Sequence, residues 1–150
     1  MSPIKSIPYE GETSIPTYPA PLKCARVTVG PTTENDVICT SAATWDIFDL
    51  PADILVHNLR TRVLTAFTSD VTLTLGDSDG AAAYLTSANI APQTKPTTGV
   101  GKNTNIDSTG AYKNGKMYDA AQKIQLVVGA VDPTAGSLEV FLTYSMSLDD

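Results

Sequence analysis

Gly76-Asp77-Ser78-Asp79-Gly80 matches G-x-S-x-G, the spacing that presents a serine nucleophile on a sharp turn after a strand. Hydrolysis at such a serine needs a helix behind the turn and a histidine later in the chain to take the proton. The sequence has one histidine, His57, and it comes earlier. The motif therefore reads as a tight polar turn, in which glycine supplies positive φ and aspartate bonds its own backbone. The same stretch holds Asp77-Ser78-Asp79-Gly80, a fragment of a calcium loop. With Gly80 at the sixth position of an EF-hand, Leu75 stands where the first carboxylate belongs and Thr86 where the last glutamate belongs. Only a looser β-loop cation site stays open. Gly110 to Lys116 matches G-x-x-x-x-G-K, but Met117 follows where a phosphate loop carries Ser or Thr, and no apolar strand precedes it. The expectation is a chain with no catalytic residues, no metal site and no cofactor, so Ser78, His57 and Lys116 are all dispensable for chemistry.

The remaining polar candidates sit on extended segments. His57, between Val56 and Asn58, reads as a satisfied or half-exposed strand histidine. Arg60 and Arg62 share one strand face, as a solvated stripe or as a carboxylate-pairing patch at a subunit interface. Trp45 reads as core that needs a partner for its indole N–H. Cys24 and Cys39 have no metal-ligand spacing and read as two small buried thiols rather than a disulfide.

The elements that hold these groups are strands. Leu138, Val140, Leu142, Tyr144, Met146 and Leu148 alternate with Glu139, Phe141, Thr143, Ser145 and Ser147, a period of two with one buried face. Val71, Leu73 and Leu75 repeat the pattern, as do Ile124, Leu126 and Val128. Further strands are predicted at Leu22–Val29, Val37–Cys39, Thr44–Leu50, Met117–Asp119 and Ile54–Phe67, the last with Leu55, Leu59, Val63 and Phe67 on its core parity. Ala81–Ser87 fits a turn of helix or an edge strand. Two hairpins are expected. One pairs Val71–Leu75 back onto Ile54–Phe67, and the other pairs Ile124–Val131 with Leu138–Leu148. Residues 88–115 form a polar excursion rich in Pro, Gly, Thr and Asn. Eight or so short strands without a helical period give an all-β fold, a jelly-roll-like β-sandwich over residues 22–150.

Residues 1–21 stand apart as an extended Pro-rich N-terminal arm. Pro3, Pro8, Pro16, Pro19 and Pro21 are five of the ten prolines, and they keep the segment out of a sheet centre or helix. Ile4, Ile7, Tyr9, Ile15 and Tyr18 give it apolar points that disordered tails usually lack. The arm is expected to lie along a neighbouring subunit, with those five residues as anchors. A net charge of −6 argues against nucleic acid and against an anionic membrane surface. The start at Met1 lacks an apolar h-region, which predicts no signal peptide, and no apolar run approaches the roughly 20 residues of a membrane helix. Synthesis in a reducing cytoplasm is expected.

Three stretches together resemble head decoration (cement) proteins of tailed bacteriophages. They are Asp49–Val56 running on to Val63–Phe67; Val71–Asp79 followed by Ala83-Tyr84-Leu85; and Ile124–Val128 followed by Thr134–Tyr144. The resemblance covers about residues 44–148, and the insert at 88–115 departs from the simplest form. It implies a non-enzymatic β-sandwich that binds the outer surface of a capsid lattice and stabilises it. It also implies the major capsid protein and further copies of itself as partners, and a virion location after synthesis in the host cytoplasm. A homotrimer on local threefold axes is expected, with a dimer as the alternative. Arg60, Arg62 and the five arm residues are the expected capsid or intersubunit contacts. A head-fibre or tail component and, more remotely, a carbohydrate-binding β-sandwich are the other classes. The last needs exposed aromatics, and the chain has a single tryptophan.

Overall fold

The computed structural model describes residues 22–94, 103–104 and 111–146. The arm with Ile4, Ile7, Tyr9, Ile15 and Tyr18, and much of the 88–115 excursion, lie outside the described residues. In chain order the elements are β1 (Lys23–Gly30), β2 (Val37–Ile38), β3 (Thr44–Leu50), β4 (Ile54–Thr65), β5 (Thr72–Asp77), β6 (Gly80–Leu85), α1 (Ser87–Ile90), β7 (Asn103–Thr104), β8 (Lys116–Tyr118), β9 (Gln122–Gly129) and β10 (Ser137–Met146). Ala81–Leu85 thus belongs to an edge strand, and the short helix follows it, capped by the Thr86 side chain.

Two sheets face each other. The first runs β2-β1-β10-β4, with β7 and β8 both against β4; the second runs β3-β9-β5-β6. Successive long strands switch sheets at almost every connection, and the eight principal strands take the order of a two-Greek-key jelly roll. This corrects both expected hairpins. β5 does not pair back onto β4, and β9 does not pair with β10; in each case the partner is in the other sheet. The linker residues explain why. Thr68 N–H donates to the Ala135 carbonyl and Phe67 N–H to Pro92, so the segment after β4 is tied across the end of the sandwich. Gly136 has φ +134, and a Cβ there would lie 2.4 Å from the Phe67 ring, so this crossing needs a glycine.

The core fills the space between the sheets. Val27, Val29, Leu59, Val63, Leu138, Val140 and Leu142 from the first meet Leu73, Leu75, Ile124, Leu126 and Val128 from the second. The parity expected for β4 holds only in part. Leu59 and Val63 face the core, but Ile54 and Val56 do so in place of Leu55. The register against β10 skips His57, where Thr143 pairs Asn58 and Tyr144 pairs Val56. One extra residue reverses the alternation on its N-terminal side. Trp45 packs at the edge of the core and donates its indole N–H to the Ser41 carbonyl at 3.1 Å, as its type required. Both cysteines are free thiols. Cys39 is buried as expected, whereas Cys24 is exposed, because even-numbered positions of β1 face outward.

Candidate functional site

Two motifs that looked catalytic in sequence meet in space and neutralise each other. Asp77, at the end of β5, is 1% exposed. Its Oδ1 accepts from Asp79 N–H (2.9 Å), Gly80 N–H (3.1 Å) and the Tyr112 hydroxyl (3.0 Å). Its Oδ2 accepts from the Tyr118 hydroxyl (2.7 Å) and Lys116 Nζ (2.9 Å). Lys116 also donates to the Tyr112 hydroxyl at 2.6 Å, and its Nζ sits 4.2 Å and 4.8 Å from the Tyr112 and Tyr118 ring centres. The Tyr84 hydroxyl is 2.7 Å from that of Tyr118, and the Tyr84 and Tyr112 rings meet edge to face. The cluster therefore fastens the β5–β6 turn of one sheet to β8 of the other.

Electrostatics follow from this packing. Burial pushes the Asp77 carboxyl up, but the donors from Tyr118, Lys116, the Asp79 backbone and Tyr112 outweigh it and hold the group below its usual range. Burial opposes the charge on Lys116, yet its bonds to Tyr112 and Asp77 win and raise it. Both Asp77 oxygens are thus engaged, and the loop's other carboxylate, Asp79, is exposed with Oδ2 3.6 Å from Lys116 Nζ. Among the described residues, no group of three His, Cys, Asp or Glu side chains could hold a metal.

Ser78 and His57 are not brought together as nucleophile and base. Ser78 is exposed in the turn and its Oγ accepts from Gln122 Nε2 (2.9 Å), while His57 Nε2 on the other sheet is 2.8 Å from Ser145 Oγ. The glycine that precedes the turn is needed for space: a Cβ on Gly76 would lie 1.8 Å from the Gly80 carbonyl oxygen. Gly76→Ala is expected to destabilise the fold by about 1–3 kcal/mol or more through overpacking. Ser78→Ala stays within about 0.5 kcal/mol, since its side chain is exposed. Guanidinium denaturation of the two variants checks the contrast; a costly Ser78→Ala beside a silent Gly76→Ala overturns the turn reading.

The outer face of the first sheet gathers every arginine in the chain. Across β1, β10 and β4 the register aligns Arg26–Phe141–Arg60 in one row and Thr28–Glu139–Arg62 in the next. Glu139 is only 4% exposed and forms ion pairs with both Arg26 and Arg62. Arg62 Nε lies 3.1 Å from Glu139 Oε1, off the line a hydrogen bond needs, so that contact is ionic without being directed. Arg60 makes no ion pair among the described residues; its guanidinium lies 5.6 Å from the centre of the Phe141 ring. Three arginines against Glu139 and, at the Thr28 edge, Asp36 leave this face with a net positive charge on an acidic protein. The opposite outer face carries Asp46, held by Gln125, and Asp49, held by Lys123. The expected Arg60 and Arg62 do share a face. Sequence reasoning missed Arg26 and Glu139, although period-two counting along β1 and β10 places both there.

No known sequence family matches this chain, and no curated protein does. Solved structures do share its fold. A chain of the cyanophage Pam1 capsid asymmetric unit superposes with a TM-score of 0.58 at 16% identity, over 97% of this chain and 99% of that one. The acid-stable capsid of Helicobacter pylori bacteriophage KHP30 contains a chain that superposes at 0.56 with 10% identity, over 83% and 87%. One in the capsid of Ralstonia phage GP4 does so at 0.50 with 14% identity, over 92% of each.

Proposed function

We propose that this chain is a non-enzymatic structural protein of a phage virion that seats on the outer surface of the capsid lattice and stabilises it. Its partners in this reading are the major capsid protein and two further copies of itself. The observation that carries it is the near-complete mutual overlay on a chain of the Pam1 capsid asymmetric unit, which leaves little of either chain unmatched. The arginine face supports it from the side of chemistry. A jelly roll with one cationic sheet offers a flat surface to acidic groups on a shell, and guanidinium forks suit carboxylates. The arm residues Ile4, Ile7, Tyr9, Ile15 and Tyr18 serve as clamps between subunits.

The test is to add the purified protein to capsids that lack it and to count bound copies. Saturable binding that weakens with salt is expected. Arg60→Glu is the cleanest probe, because Arg60 is exposed and has no buried carboxylate to orphan, unlike Arg62 beside Glu139. A like charge placed against an acidic surface costs on the order of a few kcal/mol, so occupancy falls at least tenfold while melting is unchanged. Binding only at the portal, tail or fibre position, or no binding at all, overturns the assignment to the lattice surface.

A further inference from the structure

We infer that the apolar groove at the open end of the sandwich, between β1 and β3, is the receptor for the N-terminal arm of a second copy of this chain. The inference deepens the reading above, in which copies assemble on a shell. The groove is lined by Ala25 of β1, Phe48 and Leu50 of β3, and Leu142, Tyr144 and Met146 of β10. It offers about 150 Å³. A space of about that size, lined by apolar side chains, accepts a benzene-sized ring. Asp49 also borders the groove, its carboxylate paired with Lys123, and the rest of the lining is predominantly apolar.

The backbone beside the groove is also open. Thr28 N–H is taken by Asp36 Oδ2, and the Gly30 carbonyl by Cys39 N–H, so even positions of β1 aim their backbone groups away from β10. β2 covers only Val29 and Gly30 on that side. The N–H and C=O of Cys24 and Arg26 therefore face an edge with no strand against it among the described residues. An extended segment can add there by backbone bonding while alternate side chains enter the groove.

The sequence points to residues 1–21 as that segment. They join β1 at Leu22, which is 65% exposed, at the same end of the sandwich as the groove. Pro16, Pro19 and Pro21 bias the residues before them to extended backbone, which favours an arm that runs on over a tight reversal onto its own β1. A proline-rich strand suits an edge, where one side needs no donors. Tyr9 and Tyr18 are the ring-bearing anchors. An arm-to-groove contact is head to tail, and such contacts form a ring where the rotation closes; we take that ring to be the trimer expected of the assembly.

Light scattering on full-length chains tests this. The wild type is expected to be a trimer. An arm variant, Tyr9→Ser with Tyr18→Ser, and two groove variants, Ala25→Trp and Met146→Glu, each weaken self-association roughly ten- to hundredfold. Met146→Glu is the safer groove change, because Met146 is only half-buried. Mixing the arm variant with a groove variant restores one intact contact and gives a one-to-one complex. A monomeric wild type, a trimer indifferent to the variants, or a mixture that stays monomeric each overturns the inference. Capsid binding is read separately: its failure with self-assembly intact sinks the proposed function but not the groove assignment.

Discussion

Asp77→Ala is expected to lower the unfolding free energy by about 3–5 kcal/mol, the usual cost of breaking a buried ion pair from one side. For a domain of this size that is a fall of about 6–20 °C in melting temperature. The variant leaves Lys116 without its buried partner and removes the acceptor of both the Tyr112 and Tyr118 hydroxyls. It also frees the Asp79 and Gly80 N–H groups of the turn. Asp77→Asn should fare little better, because an amide turns half of the acceptor toward donors. The pH dependence has a definite sign. The folded Asp77 carboxyl lies below its unfolded value, so its contribution is complete above about pH 4, the unfolded range. It is lost as pH falls through the lower, folded value. Melting curves from neutral to acid pH, run on both proteins, check this. The wild type declines below about pH 4 and the variant lacks that part of the decline. An unchanged denaturation midpoint in Asp77→Ala would mean that the cluster contributes nothing.

A chain that begins at Leu22 is expected to melt almost normally and to lose most of its capsid binding. Among the described residues the buried core cluster begins at Val27, beyond the cut. If the arm joins three copies, its removal turns one trivalent attachment into three weak ones. Linked attachment sites commonly gain 10²–10⁴-fold in avidity, so a loss of about 10²-fold or more is expected. Gel-based counting of copies on undecorated capsids, beside calorimetry of the free protein, separates the two effects. Full occupancy by the shortened chain transfers the contact to the sandwich, with the 88–115 segment and the arginine face as the places to look.

The strands were legible wherever one face is buried without interruption. β3 matches its expected bounds, and β10 reads directly from Leu138, Val140 and Leu142. Pairing was less legible, because alternation reports which face is buried and not which sheet lies beside it. The expected β4–β5 and β9–β10 hairpins failed for that reason: in this jelly roll most consecutive long strands cross the core, and β5–β6 is the exception that pairs. The His57 bulge was hidden too, since nothing in Val56-His57-Asn58 marks an extra residue. Of the candidate site, Arg60 and Arg62 were visible as a pair, but their union with Arg26 across Glu139 depends on register. The Asp77 cluster shows the limit most clearly. Its members stood out one by one, as a nucleophile-like turn and a phosphate-loop lysine, and only the fold reveals that they answer each other.

The two cysteines differ in a way that makes the molecule its own reporter. Cys39 is sealed in the core, where burial raises its thiol pKa and keeps it from becoming the reactive thiolate. Cys24 stands exposed beside the open edge of β1, in the row next to Arg26, Phe141 and Arg60. A maleimide dye or spin label therefore goes to a single native position, without mutagenesis, at the border between the arginine face and the groove. From there one probe senses two separate events: shielding by a shell pressed against the sheet, and the arrival of a neighbour's chain along the edge.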